Sequence, residues 1–350
     1  MTIEPPKPTG FERRPVDDLV LPFQVEKTGV RGRAVRLGVL IDHILRRHDY
    51  PEAVSEVLGE ALVTAALLGS SLKFDGSLTV QTQSDGPVGF MVASFSAPGA
   101  LRGYAKLDRD GWAALEADGK ADKAAVLGDG VFALTIDPGP GMHRSQGLVS
   151  LSRDGIAACA HEYFQQSEQI ATRLRLFVGR GSAHAPGPQK GAQKSDMPWR
   201  AGGILIQHLA ASGGLTDDEE NRARLQAEKA AGKKTLTDAG EDVEEAWNRV
   251  TTLLQTAEDQ ELVDPLLSTD RLLLRLFHED GVRVFDPMPL SMDCRCTEDH
   301  IRDVLTRTGD SREDLVEDGR ITVRCEFCNK DFVFDPETLA LMGEPRSVSR

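Results

Sequence analysis

Cysteine is scarce in this chain, with five thiols among 350 residues. So small a number argues against a framework of permanent disulfides and gives weight to where the thiols sit. An excess of positive charge is missing too. The balance of 41 Lys and Arg against 55 Asp and Glu gives a net charge of −14. Such a surface repels a phosphate backbone, so no nucleic-acid partner is expected. Long hydrophobic runs are absent as well. The most apolar stretch, "EALVTAALLGSSLKF" at 60–74, is interrupted by Thr64, Gly69, Ser70 and Ser71. It falls well short of the roughly 20 apolar residues of a spanning helix, so no membrane partner is expected. The first residues, "MTIEPPKPTGFERRPVDD", carry no apolar h-region and predict a flexible lead-in over 1–17 without a secretory signal. The expected setting is then a reducing cytoplasm, where close cysteine pairs imply metal or redox chemistry. Neither a nucleophile–base set nor an internal repeat emerges, and no enzyme is expected.

What is present suits a globular protein of two or three units: 40% hydrophobic, 27% charged and 5% aromatic residues. Residues 18–48 read as a strand-like lead-in, "LVLPFQVEKTGVRGRAVRLG", running into a helix at "VLIDHILRRHDY". Pro51 stands at a helix-start position. Val54, Val57, Leu58, Ala61, Leu62, Ala65 and Leu68 follow at spacings of three and four, one apolar face of a long helix. Beyond "FDG" at 74–76 the period falls to two, and further strands are predicted over 101–107, 130–136 and 146–152. A second long helix is predicted over 155–174, with a strand at 174–178. The reading to about residue 205 is an α+β core domain, 18–205, with sheet and helices in blocks.

Composition then shifts. Residues 213–245 are dense in charge, Ala and Gly with almost no large apolar side chains, the signature of a linker. Helical period returns with Val243, Ala246, Trp247, Val250, Leu253 and Leu254 on one face. "DPLLSTDRLLLRLFHED" supplies another helix, with Ser268, Thr269 or Asp270 as its cap. Residues 206–290 thus form a charged, helical linker region. "GVRVFDPMPLSM" leads extended into a small cysteine-bearing unit over 291–345.

Four of the five thiols lie in that unit, as "MDCRC" and "RCEFCNK". The pattern is C-x-C, 28 residues, then C-x-x-C. Two close pairs joined by a loop long enough to return can surround one tetrahedral zinc ion. Cys325 and Cys328 make a good knuckle, with Asn329 where such turns favour a left-handed backbone. The C-x-C pair is less common, and on oxidation could close only a small, reducible ring. Spacing alone leaves three readings open: a closed structural site with four cysteine ligands, a reactive-thiol site, and a nucleic-acid-binding ribbon. The last is weakened locally, since residues 291–350 hold nine basic and 14 acidic side chains.

Weaker candidates are set aside on pattern. "HEY" at 161–163 and "HED" at 278–280 do not fit the H-x-E of a zinc deaminase, and Arg324 stands where its Pro would be. His300 sits on a charged helix and reads as solvated. Cys159 reads as a buried small residue. "GPGMHRSQG" and "SDGPVG" read as turns rather than nucleotide loops.

The order of several motifs carries a resemblance. "HDYPEAVSEVLGEALVTAALLGSSLKFDGSLTVQTQSDGPV", "YFQQSEQIATRL", "AGGILIQ", "LLLRLFHED…VFDP" and the C-x-C…C-x-x-C tail together resemble the redox-regulated 33-kilodalton heat-shock chaperone family. The likeness covers about residues 20–340 and departs at the lead-in and at the charged 213–245 stretch, which is longer than the family's usual linker. It implies an α+β core, a metastable helical linker and a C-terminal zinc domain. It also implies an ATP-independent holdase for unfolded client proteins, dimeric when oxidised. Cys294, Cys296, Cys325 and Cys328 would bind one Zn²⁺ as thiolates. Oxidants would form Cys294–Cys296 and Cys325–Cys328 disulfides and expel the metal. Structural zinc contributes on the order of 10 kcal/mol to a small unit, so its loss is expected to unfold residues 291–340. If the 243–290 helices rest on that unit, the faces bearing Trp247, Leu253, Leu254, Leu272, Leu273, Leu276 and Phe277 are then released. The rival readings are an interaction or nucleic-acid module with a permanent zinc ribbon, and a thiol oxidoreductase.

Overall fold

A computed structural model describes residues 17–72, 75–139, 141–168, 170–181, 197–208, 240–294, 296–307 and 316–336. In chain order they form strands β1 (Leu19–Val25) and β2 (Val30–Leu37), helices α1 (Val39–Arg46) and α2 (Glu52–Gly69), then β3 (Ser77–Ser84), β4 (Val88–Ser96) and β5 (Ala100–Leu107). Helices α3 (Arg109–Ala117) and α4 (Lys123–Val126) precede β6 (Gly130–Asp137) and β7 (Ser145–Ser150). Helix α5 (Ile156–Tyr163) leads to β8 (Ala171–Arg180) and β9 (Trp199–His208). Next come α6 (Gly240–Gln255), α7 (Asp259–Val263) and α8 (Thr269–Phe277), then short strands β10 (Val282–Val284), β11 (Met288–Pro289) and β12 (Ser291–Met292). Helix α9 (Glu298–Arg307) and strands β13 (Val316–Glu317), β14 (Arg320–Arg324) and β15 (Asp331–Phe334) complete the set. Among the described residues no helix is long and apolar enough to cross a membrane.

The fold is α+β, and the strands predicted at 101–107, 130–136 and 146–152 fall on β5, β6 and β7. The helix predicted over 155–174 stops early. It ends at Tyr163, passes through a π-helical turn at Phe164–Glu168, and gives way to β8 at Ala171. Ladder pairing with β9, from Ala171 opposite His208 to Leu174 opposite Leu205, overrides the helical period there. Most of the charged 213–245 stretch, the 1–16 lead-in and any helix beyond Pro336 lie outside the described residues.

The described chain divides into two compact units, each assembled from two stretches: Met1–Val39 with Ala160–Leu290, and Leu40–Cys159 with Ser291–Arg350. In the first, β10-β1-β2-β9-β8 form a sheet that β11 extends at β1. The alternating side chains of β1 and β2 supply Phe23, Val25, Val30 and Ala34 to its core. The same core takes Val250 and Leu254 from α6, Leu262 and Val263 from α7, and Leu272, Leu273, Leu276 and Phe277 from α8. Phe23 and Phe277 stack with ring centroids 5.8 Å apart. Sequence alone left it a condition whether the 243–290 helices rest on the cysteine-bearing unit. Their apolar faces are packed on the β1-β2-β9 sheet, with Trp247 and Leu253 partly buried against the same core.

Two buried arginines fix that docking. A helix as short as α7 leaves its last carbonyls without intrahelical partners. Arg36, 1% exposed, donates from Nε to the Leu262 carbonyl at 3.2 Å, from Nη2 to Glu261 at 3.1 Å, and from Nη1 to Leu267. Arg200 donates to the Val263 carbonyl at 2.6 Å and pairs with Asp17 at 2.7 Å. Burial pushes the Arg36 guanidinium down to about 10, with Asp17 opposing, so it stays charged at neutral pH. Gly202 makes the close approach feasible: a Cβ there would meet the Leu262 carbonyl oxygen at 2.2 Å.

In the second unit, β12-β5-β4-β3-β6-β7 form a six-stranded sheet, and β13-β14-β15 a three-stranded one. Sequence predicts one apolar face on α2, but the helix is buried almost all round, Glu60 and Thr64 included. Glu60 is tolerated because its carboxylate pairs with Lys123; burial still raises its pKa, with Lys123 opposing.

Arg36→Met removes the charge that satisfies three carbonyls, and it is expected to cost about 3 kcal/mol, read as a lowered urea midpoint. Gly202→Val is expected to displace α7 and open residues 255–268 to limited proteolysis, with α2 remaining protected.

Candidate metal centre

The cysteines are placed by two short strand segments. β12 pairs in parallel with β5, Ser291 opposite Ala100 and Met292 opposite Leu101, and the Ser291 N–H reaches the Gly99 carbonyl at 2.9 Å. That pairing delivers the chain to Cys294 and Cys296. The other pair sits on the turn of the β14–β15 hairpin, whose last register is Arg324 opposite Asp331. The Cys325 N–H donates to the Lys330 carbonyl at 2.9 Å, and the Asn329 N–H to the Cys325 carbonyl at 2.8 Å. Asn329 takes φ +56°, the left-handed geometry expected of it.

The four sulfurs converge, all within 4.8 Å of one another. Two close approaches run between the pairs: Cys294 to Cys325 at 3.5 Å and Cys296 to Cys328 at 3.2 Å. Tetrahedral zinc with bonds of about 2.3 Å separates its sulfurs by about 3.8 Å. The donor set therefore fits a divalent cation of that kind. Proximity does not single out a disulfide pairing, because a tetrahedral set brings every sulfur near every other.

Electrostatics make the tetrad uneven. Burial, and then the neighbouring thiols, push Cys296 far above the ordinary thiol range. Burial also raises Cys294, although its contacts with Cys296 oppose it. Burial acts the same way on Cys325, but N–H groups of Cys328 and Phe327, with the Cys294 and Cys296 thiols, outweigh it and hold that thiol low. Four thiolates at this spacing repel one another, and a cation is what permits all four to lose their protons.

The surrounding module has a small core. Among the described residues it consists of Leu305, Ile321, Phe332 and Phe334, with Cys296, Ile301, Val323 and Cys325 packed against it. The Arg324–Asp331 pair at 2.6 Å is exposed and contributes little. His300 is exposed on α9, away from any ligand role, and Cys159 is fully buried in α5, where its sulfur accepts the Ser152 N–H at 3.2 Å.

One part of the site had no signal in the cysteine spacing. The knuckle is seated on residues 47–50 and 102–104 through its own backbone and Phe327. Arg47 donates to the Cys328 carbonyl at 3.1 Å, and the Asn329 amide donates to the Arg47 carbonyl at 2.7 Å. The basic and aromatic run "RRHDY" at 46–50 was the available hint.

The likeness to known proteins extends over the same elements. The chain matches the Hsp33 protein family over residues 18–335. It is 43% identical over 324 residues to the 33 kDa chaperonin of Caulobacter vibrioides, covering 92% of this chain and 96% of that protein. It is 32% identical over 328 residues to the 33 kDa chaperonin of Escherichia coli, covering 93% and 95%. Among solved structures it resembles the crystal structure of a 33 kDa chaperonin from Thermotoga maritima, with a TM-score of 0.62 and 23% identity over 93% of this chain and 97% of that one.

Substituting any one of Cys294, Cys296, Cys325 or Cys328 by Ser is expected to reduce bound metal from about one ion per chain to a small fraction. Cys159→Ala is expected to leave it unchanged. Elemental analysis of purified, reduced protein reads both.

Proposed function

Because this chain belongs to the Hsp33 protein family, we propose that it is a redox-regulated, ATP-independent holdase that works in a reducing cytoplasm and becomes active when its four clustered cysteines are oxidised. The observation that carries the reading is the convergence of four thiols within 4.8 Å in a module with four buried core side chains among its described residues. In the reduced protein Cys294, Cys296, Cys325 and Cys328 would hold Zn²⁺. The ion would supply charge compensation and most of the module's folding free energy.

Oxidation acts on the sulfurs. Each pair of thiolates would give up two electrons to one peroxide, forming one S–S bond and two hydroxide ions, which take protons from solvent to become water. With the pairing that the family resemblance implies, the products are Cys294–Cys296 and Cys325–Cys328. A disulfide sulfur no longer carries the thiolate charge that binds a cation, so the ligand set is lost and the module loses its main source of stability. Clients would be unfolding proteins with exposed apolar segments, held by a homodimer of the oxidised chain.

The apolar surface for clients is proposed to come from the helices that the Arg36 and Arg200 clamp holds down. Leu254, Leu272, Leu276 and Phe277 are buried against the sheet, so their release needs α6–α8 to leave it. Oxidation of the cysteines and undocking of the helices are then separate events. The charged 213–245 stretch would keep the opened protein soluble.

Peroxide treatment is expected to release the metal and raise suppression of aggregation of a heat-denatured client several-fold, with reversal by dithiothreitol. Retained metal, or equal protection by reduced and oxidised protein, favours a permanent structural site instead. Arg36→Met is expected to lower the temperature at which the oxidised protein becomes protective.

A further inference from the structure

The C-x-x-C turn makes more contacts than metal binding requires. Its central residues, Glu326 and Phe327, project onto a surface made by the α1–α2 connection and β5. The Arg102 guanidinium lies over the Phe327 ring, 4.4 Å from its centroid, and Tyr104 meets the same ring at 6.4 Å. Burial, and then the nearby Glu326 carboxylate, raise the Tyr104 hydroxyl above its ordinary range. His48 Nε2 lies 3.4 Å from the Phe327 carbonyl oxygen, and Arg47 donates to the next carbonyl, that of Cys328.

The surface is built rather than incidental. His48 stacks on Tyr50 at 5.1 Å and packs edge-on against Tyr104 at 5.8 Å. The Tyr50 hydroxyl bridges the backbone of Ala105, donating to its carbonyl at 2.8 Å and accepting its N–H at 3.0 Å. Arg109 holds the carbonyls of His48 and Asp49 at 3.2 and 3.3 Å. In a chain of net charge −14, this spot gathers Arg47, Arg102 and Arg109 around two tyrosines and a histidine. A guanidinium over an aromatic face and donors aimed at successive carbonyls suit a polypeptide segment with an aromatic residue beside a carboxylate.

We propose that this surface is a polypeptide-binding cradle for client segments that carry an aromatic residue next to an acidic one. In the reduced protein its own Glu326–Phe327 occupies the cradle as a built-in stand-in. The occupancy depends on the turn between Cys325 and Cys328 being closed, so opening of the cysteine site vacates the cradle. That the bound segment belongs to a client rests on the chaperone reading; the cradle itself stands on the contacts above.

The test uses the full-length reduced protein, loaded with zinc or stripped by a chelator, and a fluorescent peptide containing Glu-Phe. The stripped protein is expected to bind at least tenfold more tightly than the loaded one. Hydrogen exchange at 100–106 is expected to rise on stripping and fall again with peptide. Phe327→Ala, which leaves every cysteine in place, is expected to bind the peptide while still holding its metal. Arg102→Ala with Tyr104→Ala, or the milder Arg102→Gln alone, is expected to weaken binding by tenfold or more without changing metal content. Equal binding by loaded, stripped and Arg102→Gln protein overturns the cradle, as does equal binding of a peptide with Ala for Phe. Suppression of client aggregation by oxidised protein is measured alongside. Protection without peptide binding sinks the cradle and leaves the chaperone reading standing. Peptide binding at the cradle without protection upholds the cradle and removes the chaperone reading.

Discussion

Four sulfurs within 4.8 Å cannot all carry negative charge unless something compensates them. A bound cation can do so, and so can protons retained on the sulfurs. Among the described residues the module around them has Leu305, Ile321, Phe332 and Phe334 as its buried core, a small apolar set for a unit of this length. The raised Cys294 and Cys296 thiols and the lowered Cys325 thiol express the same tension. Burial resists charging the set, while the amides of the knuckle favour a thiolate at one corner of it.

The first unit is governed by a different constraint. The carbonyls at the end of α7 have no helical partners, and Arg36 and Arg200 satisfy them from within the sheet. Two buried guanidinium groups are sustained there by those carbonyls and by Asp17, an arrangement that becomes unfavourable once either side withdraws. Docking of the helices is therefore cooperative: the arginines need the carbonyls, and the apolar faces of α6 and α8 need the sheet. Gly202 sits where the two backbones come closest.

In the second unit the knuckle backbone is read directly by side chains. Arg47 holds the carbonyl of Cys328, and Asn329, in its left-handed conformation, holds the carbonyl of Arg47. These bonds exist only while the turn keeps its shape. A change at the sulfurs thus reaches residues 47–50 and 102–104 through a few named contacts.

The sequence by itself determined much of this. Period-two and helical patterns placed β5, β6, β7 and α2, because local burial on one face leaves a mark every two or every three to four residues. The spacing of Cys294, Cys296, Cys325 and Cys328 announced that two close pairs could meet across a returning loop, and the four sulfurs do lie within 4.8 Å of one another. Asn329 announced its own backbone conformation. Only the tertiary structure decided what the linker helices rest on: an amphipathic face records that it is covered, not by what. It also decided that the end of the helix predicted over 155–174 becomes β8, since its β9 partner is remote in the chain; the Gln207–Thr172 bond spans 35 positions. Arg36, Arg200 and Gly202 carried no local signal, because a buried arginine and a close-contact glycine look like surface charge and turn until the chain folds back. The seat of the knuckle left only the basic and aromatic run "RRHDY" at 46–50 as a hint. Nothing in "RCEFCNK" says which surface it will meet, because the bond from Arg47 to Cys328 joins residues 281 positions apart.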